Sequence, residues 1–191
     1  ELQNLLDSIE QEIIEFWPRN KTITPDDVRG NSETLSRAIM ENGWPLLDDS
    51  RGKAMFILLS SGELRQSYHD KFPGLIEAKM FTMSETGSSE AAIFSDTDPV
   101  GNADEIRALV KDGYIVRSRA DNAENGEADD NNKTRLNAAI SVGAHSISTD
   151  YPAKVDGIDY WVEIPEGNPV ACNPVSAPTD CTPERINKVL N

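Results

Sequence analysis

The sequence predicts an α/β fold with a parallel sheet, and more specifically part of a (β/α)8 barrel. Short apolar runs alternate with helical segments, which is the pattern of strand–helix units. No G-x-G-x-x-G motif follows any run, which argues against a dinucleotide-binding fold. A complete barrel typically needs about 250 residues, whereas this chain has 191 residues and four convincing strands. We therefore expect the other strands to come from residues outside this chain or from a second polypeptide, with an open four-stranded sheet as the alternative.

The first part of the chain is predicted to be helical. Apolar residues recur at three- and four-residue steps over 2–17, which predicts an amphipathic helix that ends before Pro18. Thr24 followed by Pro25 is a helix start, because threonine caps and proline suits the first helical position. A further helix is predicted to end at Gly43.

Strands and helices then alternate along the rest of the chain. The predicted strands are 54–59, 78–83, 114–120 and 145–149. The predicted helices are 62–72, the segment from Asn102 to Gly113, and 134–142, which is closed by Gly143. The segment 91–94 fits either a strand or a loop, and 160–164 is predicted as a late edge strand.

Charge and hydropathy exclude some partners. The formal charge of −15 and the pI near 4.4 argue against nucleic acid or an anionic membrane as a direct electrostatic partner. An anionic substrate would need a cation or a local basic pocket to offset this charge. No apolar run reaches the roughly 18 residues that a membrane span requires, so we predict no transmembrane segment.

The two cysteines favour an oxidising compartment. Cys172 and Cys181 lie in a proline-rich tail, where a disulfide would stabilise a segment with little core. Two free thiols are the alternative. Asn20 and Asn132 begin glycosylation sequons, although such sequons often arise by chance. We expect a secreted, extracellular protein.

Charged side chains crowd the end of the strand 114–120. Because side chains alternate along a strand, Arg117, Arg119 and Asp121 share one face. Buried charges are costly unless they are paired, so the carboxyl-end rim, where barrel active sites lie, is the favourable place for them. Arginine there is suited to bidentate binding of phosphate. The alternative is a structural arginine–aspartate lattice that fills a barrel interior.

The strand 145–149 ends in a similar way. Ser146, Ser148 and Asp150 form one polar face, and Asp150 is predicted to reach the same rim as Asp121. A carboxylate there could orient a catalytic histidine or bind a metal. The alternative is a capping or turn aspartate.

Neither histidine is a persuasive general base. His145 begins its strand and is predicted to lie at the opposite end from the chemistry, and His69 is predicted on a solvated helix face. The loop 121–126 is similar to a calcium loop, but two positions lack suitable oxygens, so a solvated acidic loop is favoured.

Several segments together resemble one family. They are 23–28, 43–45, 51–53, 113–121, 135–139, 141–144, 147–152 and 172–175 with Cys181. They resemble the calcium-dependent, phosphatidylinositol-specific phospholipase C family, which belongs to the TIM-barrel phosphodiesterases. The matches run from about residue 5 to residue 182 and cover nearly the whole chain.

The resemblance implies a secreted TIM barrel that cleaves a phosphodiester by attack of an inositol hydroxyl. Two histidines act as general base and acid and Ca²⁺ stabilises the charge on phosphate, with these groups mainly on early strands. This chain matches only later strands, so we expect the C-terminal half of the barrel over 1–165 and a disulfide-closed tail over 166–191 packed on it. The chain alone is predicted to be inactive, and the N-terminal half is its expected partner.

The resemblance also suggests roles for individual residues. Asp150 matches the position that supports the first histidine, and it is predicted with Arg119 as catalytic. Arg117, Asp121 and Lys79 are predicted to bind the phosphodiester or phosphoinositide substrate, while the metal ligands stay unassigned. The alternative function is a non-catalytic phosphate-binding protein or pseudo-enzyme.

Overall fold

The computed structural model describes residues 1–164 and 170–187. The chain divides into two compact units, Glu1–Phe94 and Ser95–Asn191. Within the described ranges, no helix combines the length and the apolar character needed to cross a bilayer.

The first unit alternates helices with short parallel strands. In chain order its elements are α1 (Leu2–Phe16), β1 (Thr22–Ile23), α2 (Pro25–Arg29), α3 (Leu35–Asn42), α4 (Leu47–Ser50), β2 (Ala54–Leu58), α5 (Gly62–Lys71) and β3 (Met80–Thr82). The next strand, β4 (Ile93–Ser95), includes the boundary between the two units. Single 3-10 turns cover Arg19–Lys21 and Pro73–Leu75.

The sheet of the first unit has the order β1-β2-β3, and both pairings are parallel. Thr22 pairs with Ala54, and Phe56 pairs with Met80. The core is built from the buried faces of the helices and strands. Its fully buried members include Leu6, Leu35, Ile39, Tyr68, Leu75 and Phe81.

The second unit contains two strand–helix repeats and a tail. Its elements are α6 (Ala103–Lys111), β5 (Ile115–Arg119), a 3-10 turn at Ala123–Asn125, α7 (Thr134–Ser141), β6 (Ser146–Ser148) and α8 (Pro183–Ile186). The sheet order is β4-β5-β6, with β6 parallel to β5 and Arg117 in register with Ser146. Val116 and Ser118 are fully buried, whereas Arg117 and Arg119 are half-buried, so the predicted alternation of faces is present.

The prediction of a parallel α/β fold is confirmed, and so is the Cys172–Cys181 disulfide. The segment 91–94, whose pattern fits either a strand or a loop, contributes to β4, whereas β1 and α4 were not predicted. The predicted strand at 160–164 is wrong. Tyr160 is completely buried, but the segment 160–164 pairs with no described strand. The half-barrel stays a prediction, and so does the boundary at residue 165, which lies outside the described residues.

Candidate functional site

Arg117 joins three strands at their carboxyl-terminal side. Its Nη1 donates to Ser95 Oγ at 3.1 Å, and its Nη2 donates to Ser148 Oγ at 2.9 Å. Ser148 Oγ in turn donates to the Ser118 carbonyl oxygen at 3.1 Å. The guanidinium is therefore held by neutral hydroxyl groups, so no carboxylate cancels its charge through these bonds.

Arg119 lies one step nearer the end of β5. Its Nη2 donates to Asp150 Oδ2 at 3.0 Å, with 29% of the Arg119 side chain and 55% of the Asp150 side chain exposed. The Arg119 Nε is enclosed and has no hydrogen-bond partner among the described residues. A buried donor without an acceptor is costly, and because this N–H is enclosed, only the exposed part of the guanidinium group is open to a ligand.

Asp121, which follows β5, is almost completely buried, with 1% of its surface exposed. Its Oδ1 accepts from the Asp150 backbone N–H at 3.0 Å. Its Oδ2 accepts from the Thr149 hydroxyl and lies 3.3 Å from the Tyr160 hydroxyl. Burial raises the pKa of Tyr160, and the negative charge of Asp121 raises it further. This group, Asp121 with Thr149, Tyr160 and the Asp150 N–H, is called the Asp121 hub below.

A second buried carboxylate orders the loop after β5. Glu127 accepts from Arg135 Nε and from the Asn122 backbone N–H, both at 2.8 Å. Arg135 Nη1 also donates to the Thr97 carbonyl oxygen at 2.8 Å, which ties the loop after β4 to the loop after β5. Burial alone would raise the pKa of Glu127, but the hydrogen bonds from Arg135 and Asn122 lower it on balance.

Arg119 and Asp150 thus meet at the ends of β5 and β6, and Arg117 contacts Ser95 and Ser148 beside them, an arrangement suited to binding an anion. The family model for phosphoinositide phospholipase C, Ca²⁺-dependent, matches residues 2–174. The chain belongs to this family. No curated protein and no solved structure matched it.

Calcium, on which the family depends, has no fitting ligand set in the part of the chain that the structure describes. No group of three or more histidine, cysteine, aspartate or glutamate side chains converges there in a way that could hold a metal ion. Both oxygens of Asp121 are occupied by donors, and Asp150 is paired with Arg119.

The two histidines of this phospholipase C family member have local partners. His69 is half-buried and its Nε2 lies 2.9 Å from Oγ1 of buried Thr82, so the prediction of a solvated face is wrong. The reason is that α5 turns this side chain toward the end of β3. His145 does lie immediately before β6, where its Nδ1 accepts from the Val116 N–H at 3.2 Å.

Lys79 lies in the first unit, immediately before β3 and therefore at the amino-terminal end of that strand. Its Nζ donates to the Glu77 carbonyl oxygen at 2.6 Å, and its backbone N–H donates to Glu10 at 3.0 Å. Its predicted role in substrate binding stays a prediction.

Sequence reasoning missed several residues that shape the site. They are Ser95, Thr149, Tyr160, Glu127 and Arg135. Glu127 and Arg135 lie eight positions apart, and the arginine falls in the first turn of α7. An acidic residue in a loop before a helix with an early arginine could have suggested that pair, whereas the other three residues carry no comparable signal.

Proposed function

We propose that the chain is the later half of a secreted TIM-barrel phosphodiesterase that acts on phosphatidylinositol or a related glycerophosphodiester. In this proposal the catalytic histidines and the calcium ligands come from the earlier half. The observation that carries the proposal is the placement of Arg119 at the carboxyl-terminal end of β5 beside Asp150, with Arg117 two residues earlier on the same face and bonded to Ser148. Active sites of parallel α/β barrels are built at this end of the strands.

In the proposed site, the two arginines bind the phosphate. A guanidinium presents several N–H donors in one plane, which matches the geometry of phosphate oxygens. Arg117 donates to two hydroxyl groups and to no carboxylate in these bonds, while Arg119 keeps 29% of its side chain exposed. An anion could bind at the exposed part of the two guanidinium groups at reduced cost in desolvation, since both side chains are already half-buried.

Asp150 is proposed to orient a histidine that the earlier half contributes. Its carboxylate is 55% exposed on the side chain, so it can accept from a second donor while it contacts Arg119. A carboxylate that accepts from one histidine nitrogen fixes the tautomer and leaves the other nitrogen to transfer a proton. In the proposed site Asp121 does not contact the substrate, because its oxygens face buried donors.

The open surface of the first unit supports a missing partner. β1 lies at one end of its sheet, and a groove of about 440 Å³ separates α1 from β2. Apolar side chains beside this groove are unusually exposed, with Phe16 at 71%, Leu59 at 60% and Trp17 at 43%. Soluble proteins rarely leave such patches uncovered, so packing of further barrel elements would explain them.

Secretion is part of the proposal and is supported by the Cys172–Cys181 disulfide. Disulfides persist in oxidising compartments and are rare in the cytosol of most organisms. The covalent link closes a tail whose Asn173 side chain also donates to the Gly143 carbonyl oxygen at 2.7 Å.

A non-catalytic phosphate-binding protein is the second candidate. It is favoured by the histidines, because the chain contains only two and both contact neighbouring groups in the fold. Such a protein would retain the arginine site and lack turnover.

The test is calcium-dependent cleavage of phosphatidylinositol in vesicles, measured for the chain alone and for the chain co-expressed with the earlier half of its polypeptide. We expect activity only in the complex, and a fall of at least about 100-fold in Arg119→Ala. Arg107→Ala is the matched control, since Arg107 also pairs with an aspartate but lies on α6. Activity of the chain alone would contradict the proposal, and headgroup binding without turnover by the complex would favour the second candidate.

A further inference from the structure

The Asp121 hub contains a carboxylate that is adjacent to the proposed phosphate site but enclosed. Asp121 is 1% exposed, and its oxygens face the Thr149 hydroxyl, the Tyr160 hydroxyl at 3.3 Å and the Asp150 N–H at 3.0 Å. Tyr160, itself fully buried, also donates to the Ala120 carbonyl oxygen at 3.1 Å. A substrate could reach this carboxylate only if these buried bonds were broken.

The hub acts on the backbone that carries Asp150. Asp121 follows β5 and accepts from the N–H of Asp150, which follows β6, so it joins the ends of two parallel strands. The side chain of the same Asp150 then meets Arg119 Nη2 at 3.0 Å. Thr149 strengthens this arrangement, because its Oγ1 also accepts from the Tyr151 N–H at 2.9 Å.

We propose that Asp121 is a positioning residue that fixes the end of β6, so that Asp150 meets Arg119, and that it does not touch substrate. This inference rests on the proposed function in assigning phosphate binding to Arg119. The new element is the role of the buried Asp121 carboxylate, which affects phosphate binding only through Asp150 and Arg119.

The enclosed Arg119 Nε provides a direct measurement. An N–H that is removed from solvent exchanges slowly, so the Arg119 Nε–H cross-peak should be visible in a ¹⁵N spectrum and absent in Arg119→Lys. We expect Asp121→Asn to shift this cross-peak in the same direction as Asp150→Asn does, or to broaden it as Asp150→Asn does. An unchanged Arg119 signal in folded Asp121→Asn would overturn the proposal.

The matched control is Glu10→Gln. Glu10 is also a buried carboxylate that accepts from a tyrosine and from a backbone N–H, but it lies in the first unit. The Arg119 signal is compared in Asp121→Asn and Glu10→Gln at equal loss of stability. If both variants disturb the signal, general destabilisation is the cause, and that result would also overturn the proposal. A change confined to Asp121→Asn supports it.

Thr149 gives a second route if Asp121→Asn does not fold. Thr149→Val removes the hydroxyl that donates to Asp121, while Thr149→Ser keeps it. We expect the valine variant to shift the Arg119 cross-peak and the serine variant to restore it. Equal spectra for the two variants would contradict the role of the hub.

Binding of inorganic phosphate separates this inference from the proposed function. We expect titration to perturb the wild-type arginine signals, and we expect Asp121→Asn to weaken affinity by about five- to tenfold, less than Arg119→Ala. Failure of the wild-type chain to bind phosphate would count against the proposed phosphate site. The response of the Arg119 signal to Asp121→Asn would still decide whether Asp121 positions the pair.

Discussion

Glu10 and Asp121 are two buried carboxylates with similar partners but different positions in the fold. Glu10, 7% exposed, accepts from the Tyr68 hydroxyl at 2.5 Å and from the Lys79 N–H at 3.0 Å. Tyr68 also accepts from the Met80 N–H at 3.0 Å. This group, Glu10 with Tyr68 and the Lys79 and Met80 N–H groups, is the Glu10 hub, and it joins α1 and α5 to the beginning of β3.

The Asp121 hub repeats this chemistry at the other end of a strand. Tyr160 takes the place of Tyr68, and the N–H of Asp150 takes the place of the N–H of Lys79. The difference is that the Asp150 side chain continues to Arg119, whereas the Lys79 side chain ends on the Glu77 carbonyl oxygen.

The comparison shows how position decides what a buried carboxylate can do. Because active sites of parallel α/β folds form at the carboxyl ends of strands, a hub at the amino end of β3 can affect stability but is far from the chemistry along that strand. A hub at the ends of β5 and β6 affects both stability and the orientation of Asp150.

The largest effect is expected for Glu10→Ala. Removal of the carboxylate leaves the Tyr68 hydroxyl and the Lys79 N–H without their acceptor, and burial makes each loss costly. We expect the free energy of unfolding to fall by about 3 kcal/mol, measured by urea denaturation. Glu10→Gln keeps an acceptor oxygen and should lose less. A loss for Glu10→Ala no greater than that of Glu10→Gln would show that the hub does not stabilise the first unit.

The disulfide should give the next largest effect, in the second unit. Opening the link between Cys172 and Cys181, nine positions apart, frees the unfolded tail and should lower the free energy of unfolding by about 2–3 kcal/mol. Denaturation of Cys172→Ser/Cys181→Ser, followed by the Arg119 cross-peak, measures this. We expect the cross-peaks of the Lys79 and Met80 N–H groups, which belong to the Glu10 hub, to be unchanged in the folded variant. Loss of the Glu10 hub signals would contradict independent roles for the two regions.

Local sequence signals predicted the helix boundaries well. Thr24 and Pro25 start α2, and Gly43 and Gly143 follow α3 and α7 as expected. β1 was missed because two residues, Thr22–Ile23, cannot show a periodic pattern. Its strand character comes from pairing with β2, which is a contact distant in sequence.

For the candidate site, the sequence could predict only which side chains share a face of each strand. Alternation placed Arg117 and Arg119 on one side of β5, and the structure has them there. The burial of Asp121 was not predictable, because its side-chain partners Thr149 and Tyr160 lie 28 and 39 positions away. Local pattern cannot distinguish a rim carboxylate from one that a later segment covers, and the roles of these residues stay predictions.

The two hub tyrosines should ionise only when the protein unfolds. Burial raises the pKa of both Tyr68 and Tyr160, and the neighbouring carboxylates Glu10 and Asp121 raise them further. The folded state therefore prefers neutral tyrosine, so its stability is complete below the unfolded pKa of about 10 and is lost as pH rises above it. Each tyrosine should remove up to about 1.4 kcal/mol per pH unit until its folded pKa is reached.

Absorbance of tyrosinate during alkaline titration tests this expectation. Of the four tyrosines, Tyr68 and Tyr160 should ionise only when the protein unfolds. Tyr68→Phe and Tyr160→Phe should each remove one of these late transitions. Ionisation of all four in the folded protein near pH 10 would show that neither hub holds its tyrosine in a buried network.

The smallest effect is expected where the same chemistry is exposed. Asp27 accepts from Arg19 and from the Thr24 N–H, both at 2.7 Å, but 34% of its side chain is exposed. Partial burial alone would raise its pKa, whereas the bonds from Arg19 and Thr24 lower it on balance. Its contribution is therefore present above the unfolded pKa of about 3.9 and is lost as pH falls below it.

Asp27→Asn keeps an acceptor for the Thr24 N–H and removes the charge that faces Arg19. Since solvent screens this pair, we expect a loss of less than about 1 kcal/mol at neutral pH. The stabilities of variant and wild type, measured by urea denaturation at decreasing pH, should converge as Asp27 becomes protonated. A loss as large as that of Glu10→Ala would mean that burial is not what distinguishes the two hubs from an ordinary capping carboxylate.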